Sequence, residues 1–412
     1  MMKAYPEYKD SGVEWVGQIP MEWNVVPLHT VCSESKLSNK GMIEENLVSL
    51  SYGKIIRKDI QALGGMLPDS FETYQIVNKN NIIFRGMDLQ NDKRSLRSAI
   101  CRERGIITSA YIALIPEEII PEFLSYIMRS YDHTKVFYNL GSGMRQSLKF
   151  EELKRLPLIL PPRELQLKIV EFLDDEIYRI DNLISEKENF IKLLSEKRQA
   201  LISHIVTKGL NPNMEMKYSG VEWIGEIPEH WEAIKLKFLC DLQTGSKNTE
   251  DAIDEGKHDF FVRSQKIKKI NSYSADCEAV LTAGDGAGVG KVYHYVNGKF
   301  DYHQRVYMMN NFKKVIGKWF YRYLSSMFYK VAMDGGAKST VDSLRMPTFM
   351  NFMVCVPPID EQKKIITYLD KSAKNIESLE RETLNSIELL KEHRIALISA
   401  AVTGKIDVRE EV

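Results

Sequence analysis

The sequence predicts an α+β protein: two globular domains joined by two long antiparallel helices that pair as a coiled coil, the whole organised as a pseudo-two-fold internal repeat. Three observations predict it. A tag at residues 11–23 returns at 219–231, each tag is followed by a long stretch of mixed strand and helix signals, and each half closes on a long heptad-patterned run.

The tag reads Ser11-Gly-Val-Glu-Trp-Val-Gly-Gln-Ile-Pro-Met-Glu-Trp23 and then Ser219-Gly-Val-Glu-Trp-Ile-Gly-Glu-Ile-Pro-Glu-His-Trp231, an offset of 208 residues from Trp15 to Trp223. The match continues through Leu28/Leu236 to Cys32/Cys240 and fades. A second match, offset by 196 from Pro161 to Pro357, begins at Pro161-Pro162 and Pro357-Pro358. It runs through Gln166/Gln362 and Leu173-Asp174/Leu369-Asp370 and ends on Val206-Thr207/Val402-Thr403. The predicted segments are tag 1–23, domain 24–160, helix 161–208, tag 209–231, domain 232–356, helix 357–405 and tail 406–412. The middles share almost nothing recognisable. An enzyme duplicated for stability would keep its chemistry-bearing middles most alike, and here the reverse holds.

The first middle carries strand-like runs at 46–52, 81–84 and 106–115 and a helical stretch at 121–138. The second has strand candidates at 259–263, 289–295 and 306–310 and a helix at 318–332. Alternation of this kind in a region of domain size implies two small α+β domains.

After Pro162 a seam advances by alternating steps of three and four through Leu173, Ile177, Ile180, Ile184, Lys187, Ile191, Leu194, Arg198 and Leu201, apolar at all but Lys187 and Arg198. The second copy repeats the seam with weaker central positions, at Leu369, Ile376, Ile387, Leu390 and Leu397, and Arg198 and Arg394 interrupt both copies at one place. Proline starts each helix, and Gly209 and Gly404 stop them. A helix from 163 to 206 is roughly 66 Å long at about 1.5 Å per residue, so it needs a partner. A short heptad match also describes an ordinary core helix, but two long copies in register favour pairing with each other. The repeat order further predicts that the chain termini lie close together.

Composition sets limits. Hydrophobic residues make up 44% and charged residues 27% of the 412, the profile of a globular chain that folds in water. No apolar run approaches the roughly 18 residues of a membrane span, and residues 1–10 lack a signal-peptide core, so no membrane association and a cytoplasmic location are expected. Five scattered cysteines form no Cys-x-x-Cys pair and imply buried thiols and no metal site. With 56 basic and 56 acidic residues the net charge is zero, so any nucleic-acid site must be local.

Local candidates exist. Residues 89–97 crowd Gln90, Asn91, Lys93, Arg94 and Arg97 into a loop, and Tyr52, Lys54, Arg85, Arg145 and Gln146 add to the first middle. The second middle offers Arg263, Gln265, Lys266, Arg305 and Lys338. Arg and Lys suit guanine edges and phosphates, and Asn or Gln suits adenine. A basic loop is more often merely solvated surface, so each alone is weak.

Catalytic signatures do not emerge. Asp285-Gly-Ala-Gly-Val-Gly-Lys291 departs from a phosphate loop at both ends and reads as a strand-to-strand turn. Asn211-Pro-Asn213 fails as an adenine methyltransferase signature, and Asp342 with Glu361-Gln-Lys363 is better read as helix capping than as a nuclease site. The eight histidines form no His-Glu-x-x-His array, so no catalytic residues are assigned.

The two tags, Val341-Asp-Ser-Leu-Arg-Met-Pro347, the Pro-Pro-x-x-(Leu/Glu)-Gln repeats and Ala400-Ala-Val-Thr-Gly-Lys405 closely resemble the specificity (HsdS) subunits of type I restriction-modification systems. The resemblance implies a non-catalytic subunit whose middles are target-recognition domains. Each would read one half of a bipartite, asymmetric site in double-stranded DNA, about one turn apart. It implies two methyltransferase subunits on the helices, which use S-adenosylmethionine on a flipped adenine, and restriction subunits that use ATP and Mg2+. No cofactor is expected in this chain. A solitary DNA-binding or anti-restriction protein on the same scaffold is the alternative.

Overall fold

The computed structural model describes residues 3–58, 70–89, 96–140, 147–334 and 344–409. The chain forms two compact units, Met1–Lys187 with Asn385–Val412, and Glu188–Leu384. The helices are α1 Pro121–His133, α2 Phe150–Leu153, α3 Arg163–Lys208, α4 Gly317–Asp334, α5 Met346–Met350 and α6 Ile359–Val402. Both unit boundaries fall inside α3 and α6, so each unit holds a tag, a mixed domain and part of each long helix. No helix among the described residues is long and apolar enough to cross a membrane.

Each tag folds as a small antiparallel hairpin, Tyr8–Asp10 on Gln18–Pro20 and Met216–Tyr218 on Glu226–Pro228. Its second tryptophan, Trp23 or Trp231, is fully buried. The next strand then pairs with the last strand of the same domain: Asn24–Pro27 with Pro157–Leu160, and Glu232–Lys235 with Met353–Val356. Each closing strand runs through its Pro-Pro pair into α3 or α6.

The middles prove more alike than their sequences. In the first unit a four-stranded antiparallel sheet has the order Cys32–Glu34, Ile112–Pro116, Ile82–Phe84, Ser98–Ile100. The six-stranded sheet of the second begins in the same way: Asp241–Thr244, Val306–Asn310, Ala275–Ala283, Tyr293–Tyr302. It then adds His258–Phe261, parallel to its neighbour, and Lys268–Ile270. Helix α1 and helix α4 follow the corresponding strand and stand 196 residues apart, the offset of the long helices. Two sequences with almost nothing recognisable in common therefore share a strand order as well as the expected α+β class. Alternating and helical apolar positions preserve a fold while the side chains at those positions change freely.

Three local expectations also shift. The run 106–115 is two strands, Gly105–Ile107 and Ile112–Pro116, parted by a turn in which the Tyr111 amide bonds the Thr108 carbonyl. The helix of 121–138 stops at His133, because Lys135 takes a left-handed conformation (φ 63°) before a 3-10 turn. The strand expected from 289 starts at Tyr293, after Gly290 turns at φ 69°.

The heptad positions form the inward faces of the long helices. In α3, Leu173, Ile180, Ile184 and Leu194 are buried and Ile177, Ile191 and Leu201 half-buried. In α6, Leu369, Ile376, Ile387 and Leu397 are buried and Leu390 is half-buried. Within the first unit Lys168 Nζ donates to the Arg409 carbonyl at 3.2 Å and Arg394 pairs with Asp181, so the two segments run in opposite directions. Within the second, Arg198 pairs with Glu377 at 3.2 Å. The arginines that interrupt the seam thus turn outward to carboxylates of the other helix.

The N-terminal tag caps the end of α6. Tyr8 OH donates to the Gly404 carbonyl at 3.0 Å, the Asp407 amide to the Lys3 carbonyl at 2.8 Å, and Lys405 Nζ to the Gln18 carbonyl at 2.5 Å. Lys208 repeats the last contact on the Glu226 carbonyl, also at 2.5 Å. Gly404 sits at φ 70°, and a Cβ there would lie 2.3 Å from Pro20 Cδ, so glycine is required for both reasons. The termini meet because each tag is built to receive the end of a long helix.

Candidate nucleic-acid interface

In the second unit three loops converge on one acidic residue. Strand Ala275–Ala283, interior to the sheet, leads into a short 3-10 turn, Gly286–Gly288, which places Asp285 just beyond the strand's end with its side chain 15% exposed. Arg263 Nη1 donates to Asp285 Oδ1 at 2.8 Å, and Arg305 Nε lies 3.6 Å from Asp285 Oδ2. Both guanidiniums stay open to solvent, at 44% and 63% side-chain exposure, so the carboxylate aims them without hiding them. Gln304 Nε2 donates to Asn248 Oδ1 at 2.5 Å, and the Gln304 amide to the Lys247 carbonyl at 2.8 Å. The resulting open cleft, of about 450 Å³, is lined by Asn248, Arg263, Asp285, His303, Gln304 and Arg305, with Thr249 and the carboxylate of Glu250 also on its wall. Gln265 and Lys266 are exposed on the same loop as Arg263. Two positive forks and several amides on a concave edge can hold phosphates and read base edges.

The first unit presents a different surface. Tyr52 and Gly53, both at positive φ (45° and 74°), form the two-residue turn between strands Val48–Ser51 and Lys54–Arg57. Tyr52 is 82% exposed at the tip, and Lys54 is exposed beside it. Arg129 Nη2 donates to the Gly53 carbonyl at 2.7 Å and braces the turn from α1. Burial lowers the Arg129 pKa from its usual value, against the opposing pull of the Asp132 carboxylate. Tyr52, Lys54, Arg102, Arg129 and Arg394 line a cleft of about 480 Å³ together with Asp174 and other side chains of the same unit.

Arg97 is corrected from a base-reading candidate to an internal brace. It is completely buried, its guanidinium donates to the carbonyls of Met87 (2.6 Å) and Asp88 (3.0 Å), and it stacks 5.1 Å from the Tyr138 ring centre. A guanidinium satisfied by backbone carbonyls inside the domain cannot also reach a groove. Arg85 is half-buried, with its amide bonded to the Arg97 carbonyl at 2.7 Å. Gln90, Asn91, Lys93, Arg94, Arg145, Gln146 and Lys338 lie outside the described residues. The structure therefore unites Arg263 with Arg305, and Tyr52 with Lys54.

Sequence reasoning missed Asp285, His303, Gln304 and Asn248, because their meeting depends on loops distant in the chain. In the sequence Asp285 stands where a phosphate loop begins with glycine, and its neighbours point only to a turn. Among the described residues no group of three or more His, Cys, Asp and Glu side chains is placed to hold a metal ion.

His133, at the end of α1, has its pKa pushed down to about 4 by burial first and then by Arg129, Lys135 and Arg394. A histidine whose pKa is lower folded than unfolded takes up its proton more readily when unfolded. Its contribution is complete above about pH 6.5 and lost as pH falls towards 4. Replacing it by His133→Gln should flatten the stability of the first unit across that window, read as denaturant midpoints at pH 7, 5.5 and 4.5. Parallel curves for the two proteins would refute the assignment.

Comparison with known proteins agrees with this geometry. Residues 22–193 and 228–389 match the family model described as the type I restriction modification DNA specificity domain. The MjaVIII specificity subunit of Methanocaldococcus jannaschii is 27% identical over 81% of each chain, and the putative MjaX specificity subunit of that organism 26% over 99% of each. The EcoDI specificity subunit of Escherichia coli is 29% identical, over 44% of this chain and 40% of that subunit. Among solved structures, a chain from a type I R-M system studied for complex assembly and conformational transition superposes with TM-score 0.69 and 18% identity, covering 93% of this chain and 98% of that one. The HsdS subunit of Thermoanaerobacter tengcongensis gives TM-score 0.54 and 19% identity, covering 94% and 98%.

Proposed function

The chain belongs to the type I restriction-modification DNA specificity family, and from that premise we propose that its two units each read one half of a bipartite, asymmetric site in double-stranded DNA. It is the non-catalytic DNA-recognition subunit of such a system and associates with methyltransferase and restriction subunits. One observation carries the bipartite reading: the same four-strand sheet order, the same helix and the same tag recur in both units, while the loops at the sheet edges differ. A repeated frame with unlike loops suits a repeated task on unlike sequences.

The segment boundaries used are those of the repeat, with recognition domains at 24–160 and 232–356. In the second, Arg263, Arg305, Gln265 and Lys266 are the contact residues. In the first they are Tyr52 and Lys54, with the half-buried Arg85 as a further candidate. Arginine forks specify guanine and bind phosphates, and an exposed aromatic packs on sugar or base.

The long helices pair as an antiparallel coiled coil whose length sets the unread spacer. The contacts of Arg394 with Asp181 and of Arg198 with Glu377, each inside its own unit, support this. The long helices expose Leu167, Tyr178 and Leu389 in the first unit and Phe190, Leu193 and Leu384 in the second, apolar side chains available to methyltransferase subunits. S-adenosylmethionine, ATP and Mg2+ belong to the partner subunits, and the complex works in the cytoplasm.

The test is to exchange residues 24–160 for the corresponding domain of a relative and map N6-methyladenine across the host genome. One half of the methylated motif should change completely, and the other half and the spacer should stay. A change in both halves would mean that the domains do not read independently.

A further inference from the structure

Two glutamines, 196 residues apart, perform the same task in the two units. Gln166 is 2% exposed and Gln362 fully buried, one turn inside α3 and α6. Gln166 Oε1 accepts from the Ile120 amide at 2.9 Å, and Gln362 Oε1 from the Ile316 amide at 2.8 Å. These amides stand directly before α1 and α4, the helices that carry each domain's sheet. The other end of each side chain holds the long helix's own start: Gln166 Nε2 donates to the Pro161 carbonyl at 3.0 Å, and Gln362 Nε2 to that of Pro357 at 2.8 Å. Gln362 also donates to the Lys314 carbonyl at 2.9 Å.

We propose that Gln166 and Gln362 are positioning residues that fix the axial register of each recognition domain on its long helix, and thereby the spacer length at which both half-sites are accepted. The inference rests on the reading that the helices set the spacer. Successive base pairs are about 3.4 Å apart along the duplex. A domain must then hold its place along the helix to within about half that distance, roughly the 1.5 Å rise of one helical residue.

Apolar packing alone tolerates such slips, since side chains repack. A buried amide held at both ends does not, because sliding leaves an amide proton and a carbonyl without partners. Two turns further along each long helix, the latches differ between units: Tyr126 OH bonds Asp174 in one, while Lys318 (2.5 Å) and Arg322 (3.3 Å) hold Asp370 in the other. Burial works against charge on Asp370, but those two cations prevail and keep its carboxyl below the usual range. The glutamine is the contact that both units keep unchanged.

The experiment places Gln166→Met and, separately, Gln362→Met in the full chain, expressed in its host with its own partner subunits, and maps N6-methyladenine. Both half-sites should persist, while methylation at sites with a spacer one base pair longer or shorter rises by about tenfold over the unaltered protein. An unchanged spacer in both variants overturns the proposal. So does a loss of methylation at every spacer in proportion to lost folded protein, measured by thermal melting of the purified complex, which would make the glutamines supports of the fold only. Removing four residues in step from both helices separates the two ideas. If that deletion shifts the spacer and the methionine variants do not, this inference fails and the helices remain the ruler. If the deletion leaves the spacer unaltered, the ruler reading itself fails.

Discussion

Trp231→Ala should destabilise the second unit by about 3–5 kcal/mol, the usual cost of removing a large buried aromatic. The ring is completely buried where tag, domain and helix meet: it lies in the main core with Ile227, Leu236 and Val356, and its Cζ2 stands 3.5 Å from the position of a Cβ on Gly209. Its Nε1 also donates to Glu361 Oε2 at 3.1 Å, which His230 Nε2 shares at 2.8 Å. The equivalent Trp23 is as buried, but its Nε1 has no hydrogen-bond partner among the described residues, because Leu165 stands where the second unit has Glu361. Replacement by phenylalanine should therefore separate the copies. Trp231→Phe forfeits a charge-assisted bond worth about 1.5–3 kcal/mol, whereas Trp23→Phe loses only packing. Denaturant unfolding of the full chain measures both, and equal losses would show that the Glu361 contact contributes nothing.

Replacing Arg263 and Arg305 together by alanine should weaken DNA binding by the assembled complex about a hundredfold, because each arginine fork is worth about 1–3 kcal/mol. Asp285 adds to the loss. With both guanidiniums removed, its carboxylate faces the phosphates without compensation, and like charges repel. If the arginines touch bases, specificity relaxes in the half-site read by the second unit alone. If they touch phosphates, affinity falls evenly for all sequences and the salt dependence drops by about one unit per arginine. A change of less than about twofold at moderate salt would remove this cleft from the DNA interface. Asp285→Asn provides the complementary case: the forks remain, and their aim is lost.

The two units show which features a sequence exposes and which it hides. The tags, the two long helices and their stops at Gly209 and Gly404 were all legible, because a heptad pattern or a left-handed glycine is a property of a few neighbouring residues. The common strand order of the two middles was not, although both read as small α+β domains. Helices α1 and α4 keep their offset of 196 with hardly a shared residue, since burial constrains size and polarity far more than identity.

The sequence by itself determined that this chain is a duplicated frame bearing two unlike domains, and its tags were enough to point to the family. Only the tertiary structure decided which polar groups share a site. Arg97 sits in a sequence as basic as any reader of DNA, yet the fold turns it inward to the carbonyls of Met87 and Asp88. Arg263 and Arg305, 42 residues apart in the chain, meet on Asp285, which local pattern gave no reason to single out. Periodicity is local and survives divergence. A recognition surface is assembled from loop ends brought together by the sheet, and its geometry exists only once the chain has folded.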